Sequence, residues 1–395
     1  MPIVSRLSGQ DRRAALYPAE LLEHFDESFI TSFDRYVEFI TCLSLQVLHT
    51  TGLQAASLRH CSVEDAIARA GLSPRIARVP AVWIFNILAL AGLMERAADS
   101  SGGVTYCSQN TPARLDAAAL VEAQGRDDPR WLPSYEIASI AAAHYPAVLR
   151  GEKTGEEALF GAEGIVPWVK YFSATNPLYA VSNTVGAFAA EQALPKGPVN
   201  ILEIGGGLGS GAMALLDRMA ATGRASDLAS YRLTEISPLF LKRAQRNLAQ
   251  RHAGYPVSYA ALDIDMPFTN DVAPTAGHSL IYGVNVLHVA HDLGSTLSQI
   301  RNALREDGML VMAECVRPFA DRPLHMELVF NLLTSFREAT LHTDWRPNAG
   351  FLTPEQWTSA LHAAQFTDIR IYPDIAGIRD DYPDFVIAAI VARRQ

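Results

Sequence analysis

At 395 residues the chain exceeds the usual single domain, and 49% hydrophobic against 19% charged residues describes a packed protein rather than a disordered one. Its formal charge of −9 argues against a broad nucleic-acid-binding surface. Cys42, Cys61, Cys107 and Cys315 lack C-x-x-C spacing, which argues against a zinc ribbon or a disulfide framework and leaves reduced thiols as the simplest reading.

The opening stretch MPIVSRLSGQDRRAALYPAE has no apolar signal core. No stretch approaches the roughly 20 apolar residues that span a bilayer, so a soluble cytoplasmic protein is expected. Phe33 to Thr51 is apolar at helical spacing, as in a helix buried against a partner. Ser62 with Asp65 makes a cap-like start for a second helix, which Gly71 ends. Ser73-Pro74 opens a third helix running to about Ala91, and Gly92 to Gln109 reads as two short strands around a Ser/Gly turn. Residues 1–110 are therefore expected to form a winged-helix-like domain. Arg75 and Arg78 are the cations that DNA binding would use there, but the rest of their helix, VPAVWIFNILAL, is too apolar for a groove-facing surface. Dimerisation of two copies is the expected role, with no nucleic-acid partner.

Residues 111–195 read as a mainly helical linker and pocket segment. Its aromatic run, Val166 to Phe188, offers Trp168, Tyr171, Phe172 and Tyr179 as pocket candidates, although aromatics at helical spacing are more often core. Pro195-Lys196-Gly197-Pro198 breaks the chain and places a boundary before residues 196–395.

The next stretch, VNILEIGGGLGSGAMALL, puts a glycine-rich turn between a short apolar strand, Val199 to Ile204, and a helix. Gly207, Gly209 and Ala212 also satisfy a dinucleotide pattern, a weak signal by itself. Further strands are predicted at Ser230 to Ile236, Val257 to Ile264, His278 to Leu287 and Gly308 to Cys315, with helical patterns between them. This alternation predicts an α/β, Rossmann-like parallel sheet. Thr367 to Asp374 and Asp384 to Arg394 then form an antiparallel pair at one edge.

That ending, together with Glu203, Gly205, Gly207 and Gly209 at the first strand and turn, resembles class I methyltransferases that use S-adenosylmethionine. The resemblance implies that the cofactor's methionine part lies over the glycine turn, where a side chain would collide with it. It implies that Glu235, with Ile236 beside it, takes the ribose hydroxyls, and that Asp263 and Ile264 meet the adenine. Asn285 is placed in the same cofactor set. Solvated acids at strand ends are the alternative reading, although all three acids fall at the carboxyl edge, where open α/β sheets bind ligands.

The segment after the fourth strand, NVLHVAHDLG, resembles two groups within that family. In small-molecule O-methyltransferases a histidine here deprotonates a hydroxyl. In polyketide synthase C-methyltransferase domains it serves carbon methylation with a glutamate from the fifth strand. His288 and Glu314 match these places, and imidazole suits proton removal near neutral pH. His291 and His342 are the further residues for a metal-dependent alternative, an iron-dependent keto-acid C-methyltransferase, but no metal is expected.

The winged helix is similar to the dimerisation module of small-molecule O-methyltransferases. The stretches YRLTEISPLFLKRAQ, LDID and RPNAGFLTPEQW look closer to polyketide C-methyltransferase domains. The resemblance therefore implies methyl transfer to carbon or oxygen of a small specialised metabolite, free or carrier-protein-bound, with S-adenosylhomocysteine as product. Met326 and Phe330 join Trp168, Tyr171 and Phe172 as substrate-pocket candidates. A ligand-sensing winged-helix regulator and a non-catalytic cofactor-binding protein are the alternatives from other classes.

Overall fold

The computed structural model describes residues 18–100, 102–108, 115–161 and 163–395. The opening stretch over residues 1–17, the end of the second wing strand and the boundary at 110/111 lie outside the described residues. The chain divides into two compact units.

The first unit holds Asp26–Tyr171 and Asp321–Glu338. Its long helix, Glu27–Thr50, starts where Asp26 accepts a hydrogen bond from the Phe29 N–H at 2.7 Å. Phe33, Tyr36, Phe39, Ile40, Leu43 and Val47 repeat at three- and four-residue intervals and are buried, facing the helix Leu132–Arg150. Ser62 caps Val63–Arg69 by accepting from Asp65 N–H at 3.0 Å, and Ser73-Pro74 opens Pro74–Leu90. Strands β1 (Met94–Ala98) and β2 (Val104–Ser108) pair antiparallel. This element order is the one that motivates the winged-helix reading.

Much of the apolar surface of the helices read from sequence as a dimer interface is covered within the chain, while Val82 and Leu90 stay exposed. Ala77, Ala81, Ile84, Phe85 and Leu88 are fully buried. The segment Asp321–Glu338 closes over this unit: Leu324 O accepts from Trp83 Nε1 at 2.9 Å, Leu328 O accepts from the Tyr145 hydroxyl at 2.7 Å, and His325 packs edge-on against Phe33. Arg75 and Arg78 pair with Glu338 and Glu64.

The second unit holds Phe172–Ala320 and Ala339–Gln395, with residues 18–25. Its strands are β3 (Val199–Ile204), β4 (Leu228–Thr234), β5 (Val257–Ala260), β6 (His278–Val284), β7 (Leu304–Cys315), β8 (Phe366–Tyr372) and β9 (Ile387–Arg394). They lie in the order β5-β4-β3-β6-β7-β9-β8. The first five pair in parallel, and β9 runs antiparallel to both neighbours, as the two-strand ending predicted. The reversal of strand order beside β3 leaves a crevice at the carboxyl edge, the usual ligand position in such sheets.

Two boundaries differ from expectation. The helix Pro177–Ala193 packs against β7 and β9, so the 195/196 boundary falls inside this unit. A side chain at Gly186 would press on Ala313 and the Tyr282 hydroxyl, so close approach to the sheet holds that helix in the unit. Asp321–Glu338, expected within the 196–395 domain, belongs to the first unit. Strand ends differ too: β5 stops at Ala260 and β6 at Val284, so Asp263, Ile264 and Asn285 sit on the loops beyond them.

Candidate cofactor and proton-transfer site

The glycine turn is built by backbone geometry. Gly205 and Gly207 have φ of 64° and 53°, a region that side-chain-bearing residues seldom adopt. A side chain at Gly205 would overlap Val286, whereas the space beside Gly207 is open to 4 Å. Gly209, at φ 82°, caps the helix Ser210–Ala221.

Glu235 ties this turn to the tip of β4. Its Oε2 accepts from Gly207 N–H at 3.0 Å and its Oε1 from Ser237 N–H at 2.8 Å. Burial raises its carboxyl, opposed by these backbone donors. Each oxygen keeps a second lone pair for a ligand hydroxyl. Ile236 beside it is exposed, and Asn247 Nδ2 donates to Leu208 O across the same corner.

Glu203 is placed differently from a strand-tip contact. It is 1% exposed, and its Oε2 accepts from the Tyr231 hydroxyl at 2.9 Å. Burial pushes its carboxyl up to about 8, against the Tyr231 bond and with the Glu235 charge adding to the rise. Its observed partners lie in the sheet and at the helix start. Tyr231 is the residue that sequence reasoning missed here, because a cross-strand partner has no fixed spacing from the acid.

Asp263 Oδ1 accepts from Asp265 N–H at 3.0 Å, and Ile264 O accepts from Thr296 Oγ1 at 3.0 Å. Both residues stand on the turn after β5. Asn285, at φ 51°, links β6 to β7: its N–H donates to Ala313 O at 2.7 Å and its Oδ1 accepts from Cys315 N–H at 3.1 Å.

The structure brings His288 and Glu314 together. Nδ1 of His288 is 2.6 Å from Glu314 Oε2, and the two residues are 2% and 0% exposed. Glu314 Oε1 accepts from Val286 and Leu287 N–H at 3.1 and 2.8 Å, so one carboxylate at the end of β7 holds both the ring and the turn that carries it. An ionised Glu314 fixes the ring proton on Nδ1 and makes Nε2 the basic nitrogen. Phe351 packs 4.5 Å from the imidazole, centroid to centroid.

Arg346, within the stretch RPNAGFLTPEQW, reaches the same turn. It is fully buried and donates to Ala290 O at 2.5 Å and His288 O at 2.7 Å. Burial lowers its guanidinium to about 10, with Asp265 and Asp292 opposing the shift.

The other candidate histidines have separate partners. His291 N–H donates to Asp265 at 2.7 Å and its ring lies 3.4 Å from Thr340 Oγ1, while His342 stacks on Trp345. Among the described residues no group of three His, Cys, Asp or Glu side chains is arranged to hold a metal. Among those residues no helix is long and apolar enough to cross a membrane.

The five pocket candidates divide between units. Trp168, fully buried, packs among Phe160, Tyr171 and Phe330 at 5.5, 5.4 and 6.0 Å, with Met326 also buried in that unit. Phe172 belongs to the second unit, 5.1 Å from Tyr179 and 6.2 Å from Phe240.

Residues 202–310 match a family model described as a methyltransferase domain. The iterative polyketide synthase afoE of Emericella nidulans is 30% identical over 318 residues, covering 78% of this chain and 11% of that protein. Polyketide synthase ThaG of Burkholderia thailandensis is 30% identical over 320 residues, covering 77% of this chain and 5% of that protein. The chain thus spans a small part of these relatives' length. Among solved structures, the CurJ carbon methyltransferase superposes with a TM-score of 0.76 at 22% identity, covering 100% of this chain and 99% of that one. The CMeT domain of the citrinin polyketide synthase gives 0.70 at 18% identity, covering 95% and 97%. These likenesses are of fold, and with the matched family model they show that the chain carries a methyltransferase domain with the fold of the class I S-adenosylmethionine-dependent enzymes.

Proposed function

We propose that the chain methylates the acidic carbon of an enolisable β-keto acyl substrate, presented as a thioester, with His288 as general base. The buried 2.6 Å pair of His288 and Glu314 carries this reading. Similarity to polyketide synthases, together with the fold of proteins described as carbon methyltransferases, supports carbon over oxygen as the acceptor.

The residues present fit the cofactor. Open space beside Gly207 leaves room over the turn, and Glu235 keeps lone pairs for a ribose diol. When bound, S-adenosylmethionine supplies an electrophilic methyl group and leaves as S-adenosylhomocysteine. Nε2 of His288 takes the proton from the substrate carbon, whose electron pair then forms the new carbon–carbon bond. Glu314 holds the ring in the tautomer this step needs and stabilises the imidazolium that results.

The test uses the N-acetylcysteamine thioester of acetoacetate with methyl-labelled S-adenosylmethionine. Mass spectrometry should find the label on the carbon between the two carbonyls. In the presence of S-adenosylhomocysteine alone, the protein should still accelerate exchange of that carbon's hydrogens for deuterium. An O-methyl product, or exchange no faster than in buffer, would overturn the reading.

A further inference from the structure

We propose that Arg346 is a positioning residue for methyl transfer, acting through the backbone that carries His288. This rests on the reading of His288 as the base.

His288 sits in a single 3-10 turn, Leu287–Val289, between β6 and the helix Leu293–Ala303. A turn this short has few bonds of its own to fix the aim of a side chain. Its own bonds are those of Val289 N–H to Val286 O at 3.3 Å and Ala290 N–H to Leu287 O at 3.2 Å, both long. The firm restraints come from two charged side chains. The acid gathers donors: Glu314 takes Val286 N–H, Leu287 N–H and the ring nitrogen. The cation gathers acceptors: Arg346 takes the carbonyls of His288 and Ala290 at 2.7 and 2.5 Å. The peptide is thus held through both polarities, and the planar fork of the guanidinium serves the two carbonyls from two separate nitrogens.

The cost of this arrangement argues for a role beyond packing. Arg346 is 0% exposed and, among the described residues, no carboxylate forms an ion pair with it. A buried cation held by neutral carbonyls is expensive compared with an apolar side chain of like volume. Here both terminal nitrogens of the guanidinium donate to the turn bearing the proposed base, while Nε has no hydrogen-bond partner among the described residues. Asp265 lies close enough to act on Arg346 and itself accepts from His291 N–H at 2.7 Å, extending the hold to the residue after Ala290.

The experiment compares R346K and R346Q in the full chain, each alone and combined with H288A. The readouts are turnover of acetoacetyl N-acetylcysteamine thioester, its hydrogen exchange, and S-adenosylhomocysteine affinity by calorimetry. R346Q should lower kcat by roughly 10- to 100-fold, the scale of a misplaced catalytic group. Cofactor affinity should stay within about twofold, and R346K, which keeps the charge and N–H donors on a single nitrogen but loses the planar fork, should recover part of the loss. In the H288A background R346Q should cost nothing further, since its effect passes through the imidazole. An equal loss in both backgrounds, a parallel loss of cofactor affinity, or full turnover in R346Q would overturn the proposal. Should R346Q fail to fold, R346K carries the same test, with a smaller kcat loss that H288A must abolish. Full turnover in H288A alone would instead remove the base assignment, an outcome read without either Arg346 variant.

Discussion

The N–H of Gly207 donates to Glu235 Oε2 at 3.0 Å, so the glycine turn after β3 and the acid at the end of β4 form one device. Glu235→Ala removes the acceptor for Gly207 and Ser237 together with any ligand hydroxyls. Loss of two charge-assisted hydrogen bonds should weaken S-adenosylmethionine binding by about 1.5–3 kcal/mol, roughly 10- to 150-fold in Kd. Calorimetry on the variant measures this directly, and unchanged affinity would take Glu235 out of the cofactor site.

Gly205→Ala introduces a side chain at φ 64° and against Val286. Strain of this kind costs on the order of 1–3 kcal/mol, so the melting temperature should fall. Val286→Ala in the same chain should return part of the loss by clearing the overlap, while the φ penalty stays. Thermal unfolding of both variants separates the two causes.

The Glu203 carboxyl, raised by burial to about 8 from an ordinary 4.5, links stability to pH. Between those values the folded state binds the proton more tightly than the unfolded one, so its contribution is fully present below the ordinary value and is lost as pH rises through about 8. The cofactor-free protein should therefore lose several degrees of melting temperature across this window. Glu203→Gln, which keeps an oxygen for the Tyr231 hydroxyl, should flatten the profile. An unaltered pH profile in the variant would assign the dependence to another group.

His288→Ala should lower turnover by about 100-fold or more while sparing cofactor binding. Glu314→Gln is expected to approach that loss. An amide turned to accept from Val286 and Leu287 N–H presents its NH2 group to Nδ1, which moves the ring proton to Nε2 and removes the basic nitrogen. Steady-state kinetics with both variants tests the pair, and a mild Glu314→Gln defect would reduce Glu314 to a holder of the turn.

Much of the second unit was legible because its signals are local. Glycines between an apolar strand and a helix, acids near strand ends, alternating strand and helix periods, and two final strands with a short connection are patterns within a few residues of one another. They determined the sheet, its antiparallel edge and the candidacy of Glu235, His288 and Glu314. Tertiary structure decided what depends on contacts far apart in the chain. Pro177–Ala193 joins the sheet because small residues let it approach closely, and Asp321–Glu338 returns to the first unit to cover Trp83 and Tyr145. Tyr231 reaches Glu203 across neighbouring strands, and Arg346 reaches His288 O over 58 residues. A side chain that pairs with a distant backbone carbonyl leaves no periodicity and no spacing rule in the sequence, so its partner is settled only when the chain has folded around it.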